Sequence, residues 1–365
     1  MSKNVIFCST PLHILNALIV KFFLLKNDYV DLVILNHSNF EKKVIENIIE
    51  EKIFNNVIFL NVNDFNHQRL YKTKIKYIKK SIEYFFLRKY GKRFSPNDVI
   101  YDTVWTSFMD RSTWLYYLYL KEKNFNLKLN ILPDGTGVYK LLSTRQNIIE
   151  EKILNFFNKK PFLKEINCLY IYEPSLIDKN YYNINIKSLP KIDDRNFQHL
   201  LNKIFKIDSN IIDVFLTNKF FYFEAPFIQK EAKVKQEKLI SYFCKNNIKI
   251  KIHPRTIIKD NVPKSCIIDN NIFFESLFLK INFKNKVFIS GISSATLFSK
   301  LIFNQEPYVI FLYKLYDLDK YTFGSDNYLD FLEKFKSLYS DTNKVFIPET
   351  LNEFYEIIER LKDED

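Results

Sequence analysis

Segments with the apolar pattern of strands alternate along this chain with segments that have the apolar spacing of helices. Short apolar runs such as Asn4–Cys8 and Val30–Leu35 have the length and composition of buried strands. Between them, Leu12–Leu25 carries apolar residues at helical spacing, and the preceding Thr10 and Pro11 are typical of a helix cap and a first helical position. Strands that alternate with helices in this way predict a parallel sheet with helices on both of its faces.

The same alternation continues on both sides of an irregular stretch. The first half predicts strands at Val57–Leu60, near Val99 and Val104, and at Leu127–Leu132, with helices at Glu41–Glu51 and Arg111–Lys123. The second half predicts strands at Phe220–Glu224, Ile248–Ile252, Val287–Ile289 and Tyr308–Phe311, with helices at Lys230–Cys244, Phe273–Lys280 and Ser294–Phe303. We therefore expect two Rossmann-like domains that face each other across a cleft, at residues 1–160 and 196–365. The linker is expected within 161–195, where three prolines lie among polar residues.

Composition and missing motifs exclude several classes of protein. The chain is 47% apolar and 17% aromatic, with only five glycines and eleven prolines, which excludes disordered and fibrous classes. The four cysteines are dispersed, so neither a zinc site nor a disulfide framework is indicated, and a reducing compartment fits. Pro11, His13 and Asn16 interrupt the first apolar stretch, which argues against a secretory signal, and no run is long enough to span a membrane. Walker, GxGxxG, HExxH and GxSxG motifs are absent.

The chain has a net charge of +12, and its basic residues are densest in the segment 69–93. Residues 69–93 hold ten lysines and arginines against one acid, with six aromatic residues interleaved. Such a stretch fits an anionic membrane surface or an anionic glycan, and the plain alternative is a solvated helix face. We expect contact with a membrane surface here and no nucleic-acid partner.

An alternating strand ends abruptly at His253-Pro254-Arg255. Pro254 has no N–H for a sheet ladder, so the strand must stop there. An imidazole and a guanidinium then lie at the carboxyl end of a strand, where open α/β sheets bind their ligands. The pair suits a phosphate leaving group, and a strand end with a solvated arginine is the alternative.

Two further loops follow predicted strands. Asp134 precedes Gly135 on a tight turn, where a carboxylate is able to take a proton from an alcohol, although Asp-Gly is also a common sequence of ordinary turns. Gly291, Ser293 and Ser294 open a helix, which predicts an anion site at its N-terminus or simple capping by serine.

These motifs, in their order, resemble bacterial sialyltransferases. The opening NVIFCSTPLHILNA, the Asp-Gly loop, the His-Pro pair and the double serine are most similar to glycosyltransferase family 52, which includes lipooligosaccharide sialyltransferases. The resemblance implies a GT-B fold and CMP-sialic acid as the donor. It also implies inversion at the anomeric carbon, with neither a metal nor another cofactor.

The resemblance also implies roles for single residues. Asp134 falls on the acid that acts as base, and His253 on the histidine that assists departure of CMP. The implied nucleotide contacts are Gly135, Pro254, Arg255, Glu275, Gly291, Ser293 and Ser294, with Glu275 near a ribose-binding acid. Related sequences usually have two acids before the glycine, and Pro133 takes the first place here, so Glu224 and Glu231 are kept as alternative bases.

The function expected from these motifs is transfer of sialic acid to a terminal galactose of a bacterial surface glycan, lipooligosaccharide or capsule, through an α2,3 linkage. The enzyme would work in the cytoplasm, at the inner face of the membrane, and a homodimer is left open. One alternative is a transferase of another sugar nucleotide, which carries glucose or another nonulosonic acid. The other is a catalytically inactive glycan-binding protein of the same fold.

Overall fold

The structure is a computed structural model whose described residues form two compact units, Met1–Pro190 and Lys191–Asp365. The described residues are 1–35, 42–60, 99–107, 111–135, 137–139, 162–177, 184–225, 227, 229–253, 262–268, 273–318 and 326–364. Across these ranges, none of the helices combines the length and the apolar character needed to span a bilayer.

The first unit is built on a seven-stranded parallel sheet. Its strands are β1 (Lys3–Cys8), β2 (Tyr29–Leu35), β3 (Asn56–Leu60), β4 (Thr103–Thr106), β5 (Lys128–Ile131), β6 (Ile166–Ile171) and β7 (Asn185–Ser188). Their order is β3-β2-β1-β4-β5-β6-β7, and each neighbouring pair is parallel. The order reverses between β1 and β4, and sheets of this kind bind ligands beyond the carboxyl ends of the strands near such a point.

The helices of this unit explain the unbroken apolar runs of its central strands. Within the described residues they are α1 (Pro11–Ile19), α2 (Lys42–Glu50), α3 (Arg111–Lys123) and α4 (Phe162–Glu165). Residues Asn4 to Cys8 of β1 are all buried, as expected for a central strand that is covered on both faces. The helix α1 starts where the sequence predicts, with the Thr10 hydroxyl accepting the His13 N–H and Pro11 at the first position. It ends at Ile19 and continues as a π-helical turn to Leu24.

The second unit is built on a six-stranded parallel sheet. Its strands are β8 (Phe220–Phe223), β9 (Lys249–Lys251), β10 (Ile267–Ile268), β11 (Val287–Ser290), β12 (Tyr308–Phe311) and β13 (Val345–Phe346), in the order β10-β9-β8-β11-β12-β13. Its helices are α5 (Arg195–Ile204), α6 (Ser209–Thr217), α7 (Lys230–Lys245), α8 (Ser294–Leu301), α9 (Asp326–Lys336) and α10 (Leu351–Asp363). The order reverses between β8 and β11, which places the expected ligand edge beside the ends of these two strands.

Phenylalanine rings fill the core under this sheet. Phe215 stacks on Phe221 with centroids 4.6 Å apart, and Phe223 meets Phe274 at the same separation. Phe274 opens a six-residue 3-10 turn that ends at Leu279, so aromatic packing holds this turn against β8. The sequence predicted an α-helix at Phe273–Lys280, and the tighter turn is what the structure contains.

The boundary between the units lies near the end of the range 161–195 in which the sequence placed the linker. The range 161–195 contains β6 and β7, which extend the first sheet, so the first unit continues to Pro190. Pro174 starts a 3-10 turn three residues after the end of β6, and Pro190 lies two residues after the end of β7, so both prolines follow strands closely. Val99 lies outside any strand, and the neighbouring strand covers only Thr103–Thr106.

Candidate active site

The Asp134 carboxylate lies on a turn beyond the carboxyl end of β5, in the first unit. The next residue, Gly135, has φ of 72°, in the left-handed region that glycine adopts with little steric cost. The Asp134 side chain is 42% exposed. A carboxylate is thus presented to solvent near the edge where ligands of such a sheet bind.

His13, in the first turn of α1, contacts this carboxylate. Its Nε2 lies 2.7 Å from Oδ1 of Asp134, and the imidazole is buried, with only 2% of it exposed. The backbone N–H of Ser9 donates to Nδ1 of the same ring over 3.1 Å. Because a backbone amide can only donate, Nδ1 carries no proton, and the Nε2–H group donates to Asp134.

Asn16 holds the backbone of the same turn. Its Nδ2 donates to the Pro133 carbonyl over 2.7 Å and to the Ser107 hydroxyl over 3.3 Å, while its Oδ1 accepts the Tyr172 hydroxyl. Sequence reasoning treated His13 and Asn16 only as interruptions of an apolar helix. Their signal was present, since they are two polar residues three positions apart on one face of a buried helix.

In the second unit, the predicted residues gather at the carboxyl edge of β8, β9 and β11. His253 follows β9, and its backbone N–H donates to Oε2 of Glu224 over 2.9 Å. Glu224 follows β8 directly and is buried, with 8% of the residue exposed. Its other oxygen accepts the Gln236 amide over 3.3 Å, and Gln236 in turn accepts the Tyr222 hydroxyl over 2.8 Å. This geometry makes Glu224 a support for the segment that carries His253.

Gly291 follows β11 and is tightly packed. A Cβ placed there would lie 2.8 Å from Cζ of Phe227 and 3.0 Å from Cδ2 of Tyr316. Tyr316 is fully buried, and its hydroxyl lies 3.2 Å from that of Tyr222. Aromatic packing therefore requires glycine here, whether or not a ligand approaches its backbone.

Ser293 and Ser294 lie at the start of α8, as predicted. Ser293 occupies the cap position, yet within the described residues its hydroxyl does not cap the helix. Its backbone makes the local contacts instead, since the Ser293 N–H donates to the Ser290 hydroxyl over 3.3 Å and its carbonyl accepts the Thr296 hydroxyl over 2.7 Å. Simple side-chain capping therefore does not explain this serine.

The remaining predicted residues differ in how much the structure says of them. Glu275 is the second residue of the 3-10 turn, and burial raises the pKa of its carboxyl, opposed by a backbone hydrogen bond and by the charge of Lys251. Glu231 lies exposed in the first turn of α7. Pro254, Arg255 and the basic segment 69–93 lie outside the described residues.

Within the described ranges, no three His, Cys, Asp or Glu side chains come together as a metal site would require.

Two solved structures share the fold of the whole chain. Phytolacca americana UGT2, complexed with UDP-2-fluoro-glucose and pterostilbene, matches with a TM-score of 0.52 at 8% identity, over 100% of this chain and 91% of that one. LpCGTa in complex with UDP matches with a TM-score of 0.50 at 8% identity, over 96% and 85% of the two chains. At such identities the likeness shows the fold alone, which is the GT-B fold of two Rossmann-like domains.

The fold and the family match together define the chain as a glycosyltransferase of the GT-B class. The alpha-2,8-polysialyltransferase family matches residues 4–313, and the chain belongs to this family. The match confirms the expected sialyltransferase resemblance, though not family 52 specifically. No curated protein sequence is similar enough to count as a relative.

Proposed function

We propose that this protein is an inverting, metal-independent sialyltransferase that uses CMP-sialic acid as its donor. The observation that carries the proposal is the hydrogen bond from His13 to Asp134, which fixes a solvent-exposed carboxylate on the ligand edge of the first unit. Membership of a sialyltransferase family supports the choice of donor.

Asp134 takes the role of general base in this proposal. A sugar hydroxyl is a weak nucleophile, so a carboxylate must accept its proton as the new glycosidic bond forms. Attack on the anomeric carbon from the side opposite to CMP inverts its configuration. Glu224 is a weaker candidate for the base than Asp134, because it is buried and its two oxygens accept hydrogen bonds from His253 and Gln236.

The second unit would bind the donor and stabilise the leaving group. As the bond to sialic acid breaks, charge develops on the CMP phosphate, and His253 can donate a proton or a hydrogen bond to it. The N-terminus of α8, with Ser293 and Ser294, favours an anion through its amide groups and its dipole. Glu275 would accept hydrogen bonds from the ribose, and Gly291, Pro254 and Arg255 are the other proposed nucleotide contacts of this unit. Gly135 is a proposed nucleotide contact that belongs to the first unit. A monophosphate leaves with less charge than a diphosphate, so these groups suffice without a metal.

The acceptor that the family match favours is a glycan ending in sialic acid, joined through an α2,8 linkage. A galactose terminus and an α2,3 linkage, as expected from the sequence motifs, is the second candidate. We also propose that segment 69–93 holds the enzyme at an anionic membrane surface, because it combines ten basic residues with six aromatic ones.

The test is incubation of the purified protein with CMP-sialic acid and either a sialylated lactoside or a plain lactoside. Linkage analysis of the product identifies the acceptor and the bond. Release of CMP without transfer to either acceptor would contradict both acceptor candidates. Turnover with UDP-glucose or another nonulosonic acid nucleotide, but not with CMP-sialic acid, would overturn the donor. No turnover with any sugar nucleotide would indicate a glycan-binding protein.

A further inference from the structure

We propose that His13 is a positioning residue for Asp134, and that it holds one carboxylate oxygen so that the other faces the acceptor hydroxyl. This inference rests on the proposed function, in which Asp134 is the base. It goes beyond the sequence motifs, because His13 belongs to the first helix and lies 121 residues from Asp134 in the chain.

The imidazole of His13 is locked in one orientation. The Ser9 N–H occupies Nδ1, and the Nε2–H group is directed at Asp134. The backbone of His13 is held as well, since its N–H donates to the Thr10 hydroxyl and its carbonyl accepts the Cys8 thiol over 3.2 Å. A ring held at both nitrogens has no lone pair left for a substrate proton, so His13 acts through Asp134.

The carboxylate needs such a partner because its turn leaves it exposed. Asp134 precedes a glycine in the left-handed region, and a side chain 42% exposed at such a turn is otherwise able to rotate. Among the described residues, Oδ1 is bonded to His13 and Oδ2 has no hydrogen-bond partner. Fixing Oδ1 leaves Oδ2 as the proton acceptor in a single orientation, and a base displaced by about 1 Å can lose on the order of 100-fold in rate.

One helix therefore fixes this turn at two points. His13 holds the Asp134 side chain, and Asn16, one turn further along α1, holds the preceding carbonyl of Pro133 over 2.7 Å. Both helix residues are buried. The position of the base is thus set by α1, which is tied to the central strand β1 by the hydrogen bond from the Cys8 thiol to the His13 carbonyl.

Two substitutions at His13 separate its two hydrogen bonds. The amide nitrogen of His13→Gln lies close to the position of Nε2 and keeps a donor for Asp134. The amide oxygen of His13→Asn lies close to the position of Nδ1, so it keeps the Ser9 contact and loses the donor. We expect His13→Asn to lower kcat about 10- to 100-fold, with KM unchanged for CMP-sialic acid and for the acceptor. His13→Gln should restore kcat to within about threefold of the wild type, because a neutral donor to the carboxylate is retained.

A double substitution tests whether His13 acts through Asp134. In an Asp134→Asn background, His13→Asn should lower the residual rate no further, because the base on which it acts is gone. Equal kcat for wild type and His13→Asn, or equal losses for the Asn and Gln variants, would overturn the positioning role. If Asp134→Asn itself transfers at the wild-type rate, the base assignment in the proposed function is wrong.

The tautomer of His13 gives a readout that does not depend on activity or on the stability of variants. Long-range ¹H–¹⁵N correlation spectra of the wild-type protein labelled at histidine report which ring nitrogen carries the proton. The hydrogen bond from the Ser9 N–H to Nδ1 requires the Nε2–H tautomer. Protonation at Nδ1 would refute the proposal even if every His13 variant failed to fold.

Discussion

Replacement of Glu224 distinguishes a structural support from a catalytic base. In Glu224→Ala, the His253 N–H and the Gln236 amide both lose a buried acceptor. The His253 N–H left without a partner costs about 1–3 kcal/mol, and the Gln236 amide, which keeps the Ala225 carbonyl as an acceptor, adds about 1 kcal/mol. The free energy of unfolding of the second unit should therefore fall by roughly 2–4 kcal/mol. In Glu224→Gln one acceptor oxygen remains, and we expect a smaller loss of about 1–2 kcal/mol.

The assay combines urea unfolding with hydrogen exchange at the His253 amide and with transfer kinetics. The amide should exchange faster in both variants because its hydrogen bond to a buried carboxylate is weakened or lost. If Glu224 supports His253, Glu224→Gln should weaken CMP binding and retain measurable transfer. The matched control is Glu231→Gln, an exposed acid in the first turn of α7, which should leave the unfolding free energy within about 0.5 kcal/mol of the wild type.

Two results would refute this reasoning. Exchange of the His253 amide at the wild-type rate in Glu224→Ala would show that the hydrogen bond does not hold this segment. Complete loss of transfer in Glu224→Gln, with CMP binding and stability intact, would identify Glu224 as the base after all. If Glu231→Gln alone abolished sugar transfer, Glu231 would be the catalytic base.

Four further predictions address packing, catalysis and membrane contact. Gly291→Ala should destabilise the protein by about 1–3 kcal/mol, because its Cβ would lie 2.8 Å from an aromatic carbon. Gly137→Ala is the control, since no atom of the described residues lies within 4 Å of a Cβ there, and thermal unfolding of both variants compares them. Asp134→Asn should lower kcat by about 10²–10⁴-fold. His253→Ala should abolish transfer in a protein whose circular dichroism is unchanged. Wild-type turnover in Asp134→Asn or in His253→Ala would contradict the role of the residue that was replaced. Replacing five lysines of 69–93 by glutamine should weaken binding to phosphatidylserine vesicles by up to about 1 kcal/mol per lysine. The kinetics with a soluble acceptor should stay unchanged. Vesicle binding equal to that of the wild type would exclude this segment as the membrane contact.

Local chemistry explains what the sequence could predict. The carboxyl end of β9 was predicted because Pro254 cannot continue a strand, and the turn at Gly135 because glycine tolerates its backbone angle. Both residues act on their immediate neighbours, so a short window of sequence contains the whole cause.

Contacts between distant residues explain what the sequence could not predict. Glu224 and His253 are 29 residues apart, and no periodic pattern specifies that a carboxylate will accept a particular backbone N–H. The edge strand β7 was missed for a related reason, since three of its four residues are exposed and lack the apolar pattern of a buried strand. Its place in the sheet follows from pairing with β6, and not from its own composition.

The hydrogen bond between Tyr172 and Asn16 bears on how the first unit folds during its synthesis on the ribosome. These residues are 156 positions apart, and Asn16 is fully buried in the finished unit. At ribosomal rates of about 5–20 residues per second, the helix that carries Asn16 waits roughly 10–30 s for Tyr172 to be synthesised. Throughout that interval the Asn16 side chain lacks its Tyr172 partner, although β2 and then β4 become available to pair with β1. The hydrogen-bond network around the base-bearing turn is therefore complete only after the chain has grown beyond β6.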